Sequence, residues 1–192
     1  RQGKYEIIFV SLRAKNQTMT QKKQNTLLKE YEFQGKGLHT GKVARMVVKP
    51  APADFGLRFR RIDLGEDAWV EALAENVSNT ARSTTISKGD VSVVTIEHLL
   101  SALTGLGIDN AQIDIDNIEV PILDGSAKPY IDAICPDGVL EQDAPRKYID
   151  IDRELVIIDK STGSEVRIIP ADKPSFDCTI DFDSRVVGRQ EA

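Results

Sequence analysis

One stretch of the chain, residues 95–106, carries a clear helical period, and short segments with strand patterning surround it. Ile96, Leu99, Leu100 and Leu103 follow the i, i+3, i+4, i+7 spacing that places apolar side chains on one face of a helix. A lone amphipathic helix among strands buries that face by packing on a sheet. Thr95 is the expected N-cap of this helix. The pattern therefore predicts an α+β fold.

Strand patterning is predicted on both sides of this helix. Residues 74–90 are rich in Ser, Thr and Asn and are predicted to be loop. A second, short helix is expected over 126–134, capped by Ser126 and ended by Pro136-Asp137-Gly138. Strands are expected within 25–36 and at 43–49, 56–62, 68–73, 90–94 and 110–115.

The pattern changes after Lys147, where strands follow one another without a sustained helix. Such strands need a covering layer, so we expect a first domain over 21–142 and an incomplete second domain over 143–192. Residues 1–20 are expected to be a disordered extension outside the fold, and residues 139–146 a polar linker. The predicted strands of the second domain are 148–151, 155–158, 165–169 and 176–182.

Composition and charge exclude several classes of protein. The net charge of −5 argues against non-specific nucleic-acid binding, which requires a basic surface. No run approaches the roughly 20 apolar residues of a membrane-spanning helix. Cys135 and Cys178 lack metal-ligand or disulfide spacing, so we expect buried thiols in a reducing cytoplasm. An anion site is one interpretation of Arg58, Arg60 and Arg61. The exposed face of a strand explains the alternating Arg58 and Arg60 more simply, and the same alternation puts Arg61 on the other side with Leu57 and Phe59.

Histidine is scarce, with His39 and His98 the two in the chain. His98 follows Glu97 at the start of the predicted helix, where the helix dipole favours an ionised carboxylate and a neutral imidazole. Neutral imidazole binds metals, and a neighbouring carboxylate can accept a proton from activated water. A catalytic zinc usually takes three protein ligands. The residues alone therefore leave open half of a metal site or a hydrogen-bonded structural pair.

Two glycine-containing segments are further candidates. Gly37-Leu38-His39-Thr40-Gly41 places glycines on both sides of His39, which permits a tight bend and close approach of a substrate. A plain turn with an exposed histidine is the alternative. Asp124-Gly125-Ser126 is similar to an acid-bearing catalytic turn, but an Asx turn followed by a helix cap explains it without chemistry.

Five segments, taken together, carry a resemblance over residues 24–190. They are 37–41, 50–61, 95–103, 107–110 and 121–126. In this order they resemble the UDP-3-O-acyl-N-acetylglucosamine deacetylase family, zinc amidases of lipid A biosynthesis in Gram-negative bacteria. The resemblance implies a two-layer domain of sheet and helices similar to domain 2 of ribosomal protein S5, followed by an incomplete second domain of the same type.

The resemblance also implies roles for particular residues. Glu97 is the expected general base, and His98 is the expected ligand of Zn2+. The other zinc ligands belong to a His-x-x-x-Asp motif of the second domain, which this sequence does not contain. Leu38, His39, Ser83 and Thr84 are the expected substrate-binding residues; some relatives carry cysteine where this chain has Ser83.

The implied function is zinc-dependent hydrolysis of the N-acetyl group of UDP-3-O-acyl-N-acetylglucosamine by a cytoplasmic enzyme, monomeric at full length. A chain with one zinc ligand is expected to be inactive by itself. The alternative is a noncatalytic domain that binds a nucleotide sugar or a protein. A sugar kinase is disfavoured because no Gly- and Ser-rich phosphate loop precedes a helix.

Overall fold

A computed structural model describes residues 4–12, 22–149, 151–171 and 175–191. The chain divides into two compact units, one formed by residues 21–146 and the other by residues 1–20 together with 147–192. The helices are α1 (Glu97–Gly105), α2 (Lys128–Ile134) and a short 3-10 helix (Ala74–Asn76). The strands are β1 (Lys4–Leu12), β2 (Lys23–Leu27), β3 (Tyr31–Lys36), β4 (Val43–Pro50), β5 (Leu57–Arg61), β6 (Trp69–Glu71), β7 (Val77–Asn79), β8 (Thr85–Lys88), β9 (Val91–Val94), β10 (Ala111–Ile115), β11 (Val139–Pro145), β12 (Leu155–Asp159), β13 (Ser164–Ala171), β14 (Ser175–Asp181) and β15 (Arg189–Glu191).

The main sheet of the 21–146 unit has the strand order β3-β4-β10-β5-β6. Strand β10 lies in the centre, antiparallel to β4 and parallel to β5. Alternation along β4 buries Ala44, Met46 and Val48, because successive side chains of a strand point to opposite faces. This buried face forms one side of the hydrophobic core.

Both helices contribute residues to this core. Ile96, Leu99 and Leu103 are buried and Leu100 is partly buried, so the predicted apolar stripe is confirmed. From α2, the buried Tyr130 packs edge-on against a ring of β3 and donates a hydrogen bond to the carbonyl oxygen of Pro121 at 2.6 Å. The α+β prediction is confirmed at this level, with more strand than helix. None of the helices in the described residues is long and apolar enough to cross a membrane.

The prediction of a loop over 74–90 is wrong, because β7 and β8 lie within it. They form a separate three-stranded sheet with β9, which confirms the strand predicted at 90–94. The hydroxyl of Ser87 lies 2.8 Å from that of Ser78 and 2.9 Å from that of Ser92, which joins the three strands. Ile86 is buried in the common core. Serine and threonine indicate loops in sequence, but their hydroxyls also form cross-strand pairs.

Residues 139–146, predicted as a linker, instead contain β11, which pairs antiparallel with β2. Asn110 fixes this pair, since its Nδ2 donates to Oε1 of Gln24 and to Oε1 of Gln142, both at 2.8 Å. The backbone N–H of Gly56 donates to Asn110 Oδ1 at 2.7 Å. These contacts join strands far apart in sequence within the unit of residues 21–146.

The other unit contains one sheet with the order β12-β13-β1-β14-β15. The strands predicted at 155–158, 165–169 and 176–182 are confirmed as β12, β13 and β14. The structure differs from the predicted disordered extension over Lys4–Leu12, where β1 pairs parallel with β13 and antiparallel with β14. This segment is rich in β-branched and aromatic residues, which favour strands. The remainder of the predicted extension lies outside the described residues.

Both cysteines differ from the predicted burial. Cys135 is exposed and Cys178 is partly exposed, and both are free thiols. Cys135 follows the last residue of α2, Ile134, which takes the buried position instead.

Candidate active site

The Glu97–His98 pair forms the first turn of α1, and both side chains are partly exposed. Thr95 was expected to cap this helix, but no side chain caps it. Instead the Thr95 hydroxyl donates to Oε1 of Glu119 at 2.9 Å. The capping prediction is wrong because a buried carboxylate takes the hydroxyl that a cap would use.

The turn that precedes β8 contacts this helix start. The backbone N–H of Thr84 donates to Oε2 of Glu97 at 3.1 Å, and the N–H of Ile96 donates to the carbonyl of Thr84 at 3.4 Å. Ser83 and Thr84 are partly exposed, and Arg82 before them has a φ of 66°. The structure therefore brings the predicted substrate-binding Thr84 against the predicted general base.

The segment of residues 37–41, which we name the 37–41 loop, is a tight turn. The N–H of Gly41 donates to the carbonyl of Gly37 at 3.0 Å, and Gly41 has a φ of 65°, which favours glycine. Leu38 is 59% exposed, and His39 is also exposed. The predicted bend is confirmed, and it presents two candidate substrate-binding side chains outward.

Glu119 links the 37–41 loop to the helix start, and the sequence analysis missed it. It is 1% exposed and accepts hydrogen bonds from the N–H of His39 at 2.9 Å, the N–H of Thr40 at 2.8 Å and the hydroxyl of Thr95. Burial alone raises the pKa of the Glu119 carboxyl, but these donors together hold it below its usual value. The available signal was an acidic residue between Ile118 and Val120, where a buried strand residue is expected.

The three arginines of β5 are engaged within the protein. Arg60 forms two hydrogen bonds with the buried Asp114, at 2.9 and 2.6 Å. Arg61 binds Asp63 through two bonds of 2.8 and 2.7 Å, and it is buried on the same strand face as Phe59, as the alternation predicted. Arg58 donates to a backbone carbonyl at 2.8 Å. These contacts explain the cluster without an anionic ligand.

Asp124 and Ser126 form the predicted Asx turn just before α2. The N–H of Ser126 donates to Asp124 Oδ1 at 2.9 Å, and the N–H of Lys128, the first residue of the helix, donates to Ser126 Oγ at 3.1 Å. The pKa of the Asp124 carboxyl is lowered by bonds from the backbone and hydroxyl of Ser126. The structural interpretation is confirmed, although α2 begins two residues later than predicted and Ala127 takes the N-cap position.

His98 and Glu97 were the predicted metal-site residues. Across the described ranges, no group of three or more His, Cys, Asp and Glu side chains is arranged to hold a metal ion. A partly exposed imidazole beside a carboxylate suits one position of a zinc site, which needs three protein ligands in catalytic proteins. The described residues therefore do not form a complete zinc site by themselves.

Comparison with known proteins places this geometry in a family. The family model described as UDP-3-O-acyl N-acetylglycosamine deacetylase matches residues 24–192. The UDP-3-O-acyl-N-acetylglucosamine deacetylase of Cellvibrio japonicus is 45% identical over 85% of this chain and 54% of its own length. The enzyme of the same name from Methylococcus capsulatus is 46% identical over 85% of this chain and 53% of its own length.

A protein of Porphyromonas gingivalis named bifunctional enzyme LpxC/FabZ is 42% identical over 88% of this chain and 37% of its own length. The chain spans about half the length of the curated deacetylases that it matches. Because the family model matches residues 24–192, well over half of the chain, the chain belongs to the UDP-3-O-acyl N-acetylglycosamine deacetylase family.

Proposed function

We propose that this chain supplies the first part of the active site of a zinc-dependent hydrolase that removes the N-acetyl group of UDP-3-O-acyl-N-acetylglucosamine. One observation carries the proposal: in a member of this family, Glu97 and His98 lie together and partly exposed on the first turn of α1. There, a carboxylate can accept a proton from a water molecule, and an imidazole can bind a metal ion that activates the same water.

Glu97 is the proposed general base. The N–H of Thr84 holds Oε2 at 3.1 Å, and Oε1 has no hydrogen-bond partner among the described residues. One carboxylate oxygen is thus oriented by the backbone while the other can accept a proton from the attacking water. A backbone N–H is a suitable donor to an ionised carboxylate, which is the form that a general base requires.

His98 is the proposed zinc ligand in this chain. A bound Zn2+ lowers the pKa of a water molecule and polarises an amide carbonyl. The remaining ligands are expected from sequence outside the described residues, since those residues hold no group of three candidate ligands. In this proposal the chain contributes one imidazole, at the position that follows the general base on α1.

Leu38, His39, Ser83 and Thr84 are the proposed substrate contacts. Two connections support this: Thr84 bonds to Glu97, and Glu119 ties the 37–41 loop to the residue two positions before Glu97. Both candidate segments therefore contact the start of α1, which supports the proposal that the reacting carbonyl lies there.

Further features stay predictions from the sequence. They are similarity of the first domain to domain 2 of ribosomal protein S5, a second domain of the same type beginning near residue 143, a monomeric full-length enzyme, no nucleic-acid partner and a cytoplasmic location.

The test is hydrolysis of UDP-3-O-acyl-N-acetylglucosamine by the complete protein, followed by mass spectrometry of the deacetylated sugar. Glu97→Gln should lower kcat by about 10²- to 10⁴-fold, the usual contribution of a general base. His98→Ala should lower both the rate and the bound zinc measured by elemental analysis. Glu75→Gln, at an exposed acid of the 3-10 helix, is the matched control. Wild-type rates in both site variants would contradict the proposal.

A noncatalytic nucleotide-sugar-binding domain is the second candidate, and it requires no metal ligand beyond those in the described residues. Calorimetry of this chain with the UDP-sugar distinguishes the two. Metal-independent binding by the chain, together with no hydrolysis by the complete protein, would support the binding domain.

A further inference from the structure

Glu119 is buried at the point where two candidate site segments meet. Its Oε1 accepts the Thr95 hydroxyl and the N–H of His39, and its Oε2 accepts the N–H of Thr40. The three donors come from two segments that lie far apart in the sequence. A single side chain thus connects the 37–41 loop to the segment that begins α1.

The residue that Glu119 holds on the helix side is strained. Thr95 has a φ of 60°, which is unfavourable for a β-branched side chain. Its neighbour Val94 is fixed on both sides, because its N–H donates to Ile118 at 2.9 Å and its carbonyl accepts from Val120 at 3.1 Å. The strained residue therefore persists between a fixed strand end and the first turn of α1, held by the bond to Glu119.

The loop is also shaped around this carboxylate. A Cβ atom at Gly37 would lie 2.3 Å from Oε2 of Glu119 and 2.7 Å from the hydroxyl of Thr40. No side chain fits there, so the backbone approaches the carboxylate directly. The loop backbone and the carboxylate therefore pack closely against each other.

Glu119 itself cannot be the proton acceptor of the reaction. It is 1% exposed, and both of its oxygens accept hydrogen bonds from the protein. A group without access to water or substrate can act only through the residues that it orients. His39 and the Thr95–Glu97 segment are the residues in that position.

We propose that Glu119 is a positioning residue, a buried carboxylate that holds the 37–41 loop and the start of α1 in one arrangement, so that the loop meets the substrate while Glu97 and His98 meet the scissile amide. This inference rests on the proposed function. Glu119 takes no part in the chemical step. Its role is to align the 37–41 loop with the start of α1.

The experiment measures kcat and KM of the complete protein for the UDP-sugar. Thr95→Val removes the hydroxyl while retaining the branched shape, so kcat should fall at least about tenfold, because small misplacements of reacting groups are costly. Thr95→Ser, which keeps the hydroxyl, should restore most of the rate. Thr104→Val, at an exposed threonine of α1, is the matched control and should match the wild type.

Glu119→Gln and Glu119→Ala complete the series. Glutamine can accept the loop N–H groups, so it should retain more activity than alanine, and alanine should also raise KM through the loop. If Glu119→Ala does not fold, the comparison of Thr95→Val with Thr95→Ser tests the proposal. Wild-type kcat and KM in a folded Thr95→Val protein would overturn the proposal.

A readout independent of hydrolysis separates this inference from the proposed function. In Thr95→Val, hydrogen exchange at the amides of His39 and Thr40 should accelerate, because the carboxylate that accepts them loses its hydroxyl donor. Accelerated exchange in a protein without deacetylase activity supports the coupling and rejects the function. Unchanged exchange and kinetics, with Glu97→Gln still inactive, rejects the coupling alone.

Discussion

The backbone N–H of Thr84 donates to Oε2 of Glu97 at 3.1 Å, although 13 residues separate them. The turn before β8 thus fixes the rotamer of a side chain on the first turn of α1. Because the donor is a backbone group, any residue at position 84 other than proline can supply it. The geometry of the proposed general base therefore depends on the path of the chain rather than on a second side chain.

Replacing Glu97 should change the exchange of the Thr84 amide in a predictable way. Glu97→Ala removes the acceptor, so the Thr84 amide should exchange up to about tenfold faster, the range expected for one lost hydrogen bond. Glu97→Gln keeps an acceptor oxygen and should change exchange little. Hydrogen–deuterium exchange by NMR checks both, with the Val94 amide, bonded to Ile118, as an internal control. Equal exchange in the two variants would contradict the contact.

Two glycines of the 37–41 loop should respond differently to substitution. Gly37→Ala places a Cβ 2.3 Å from Glu119 Oε2, and we expect a loss of about 1–3 kcal/mol from overpacking. Gly41 has a φ of 65° with nothing within 4 Å of a Cβ, so Gly41→Asn should be tolerated better than Gly41→Val. Urea denaturation midpoints measure both, and a neutral Gly37→Ala would contradict the packing around Glu119.

Asn110→Ala should destabilise the 21–146 unit strongly. It removes the donor to Gln24 and Gln142 and the acceptor of the Gly56 N–H, and each buried group left unpaired costs about 1–3 kcal/mol. Equilibrium urea denaturation gives the change. Asn79→Ala, at an exposed position, is the control and should cost less than about 1 kcal/mol. Similar losses in the two variants would contradict the role of the buried amide.

Asp114 should make the stability of the protein depend on pH in the acid range. Burial alone raises the pKa of Asp114, but hydrogen bonds from Arg60, Gln112 and Lys49 together hold it below its usual value. A lowered folded-state pKa means that the stabilisation is complete above the unfolded value, near 3.8, and is lost as the pH falls through the folded one.

The variant Asp114→Asn tests this linkage. At pH 7 it should be less stable than the wild type, because Arg60 and Lys49 lose a buried charged partner. That difference should shrink as the pH is lowered below the unfolded value. Urea midpoints at pH 7, 5 and 3 measure it, with Asp90→Asn at an exposed turn as control. A difference that stays constant with pH would contradict the assignment.

The local parts of the fold were predictable. The apolar spacing of Ile96, Leu99 and Leu103 specifies a buried helix face whatever the strands around it do, and alternation specified β4 and β5 in the same way. The bend at His39 and the Asx turn at Asp124 were also predictable, because glycine conformation and short side-chain bonds act within a few residues.

The site was predictable as a set of segments and not as an arrangement. Glu119 contacts His39 across 80 positions, and its apolar neighbours in sequence do not indicate which donors satisfy its buried charge. The cap prediction for Thr95 was wrong for the same reason, since a distant carboxylate competes for its hydroxyl.

By itself, the sequence determined which residues form the helix face, the strand faces and the glycine turn, because periodicity and backbone freedom act locally. Tertiary structure alone decided that the serine-rich segment becomes a sheet, that β11 returns to β2, and that one buried carboxylate joins the 37–41 loop to α1. The physical reason is that a hydrogen bond between distant segments has no local signature: its donors acquire their partner only when packing removes both from water.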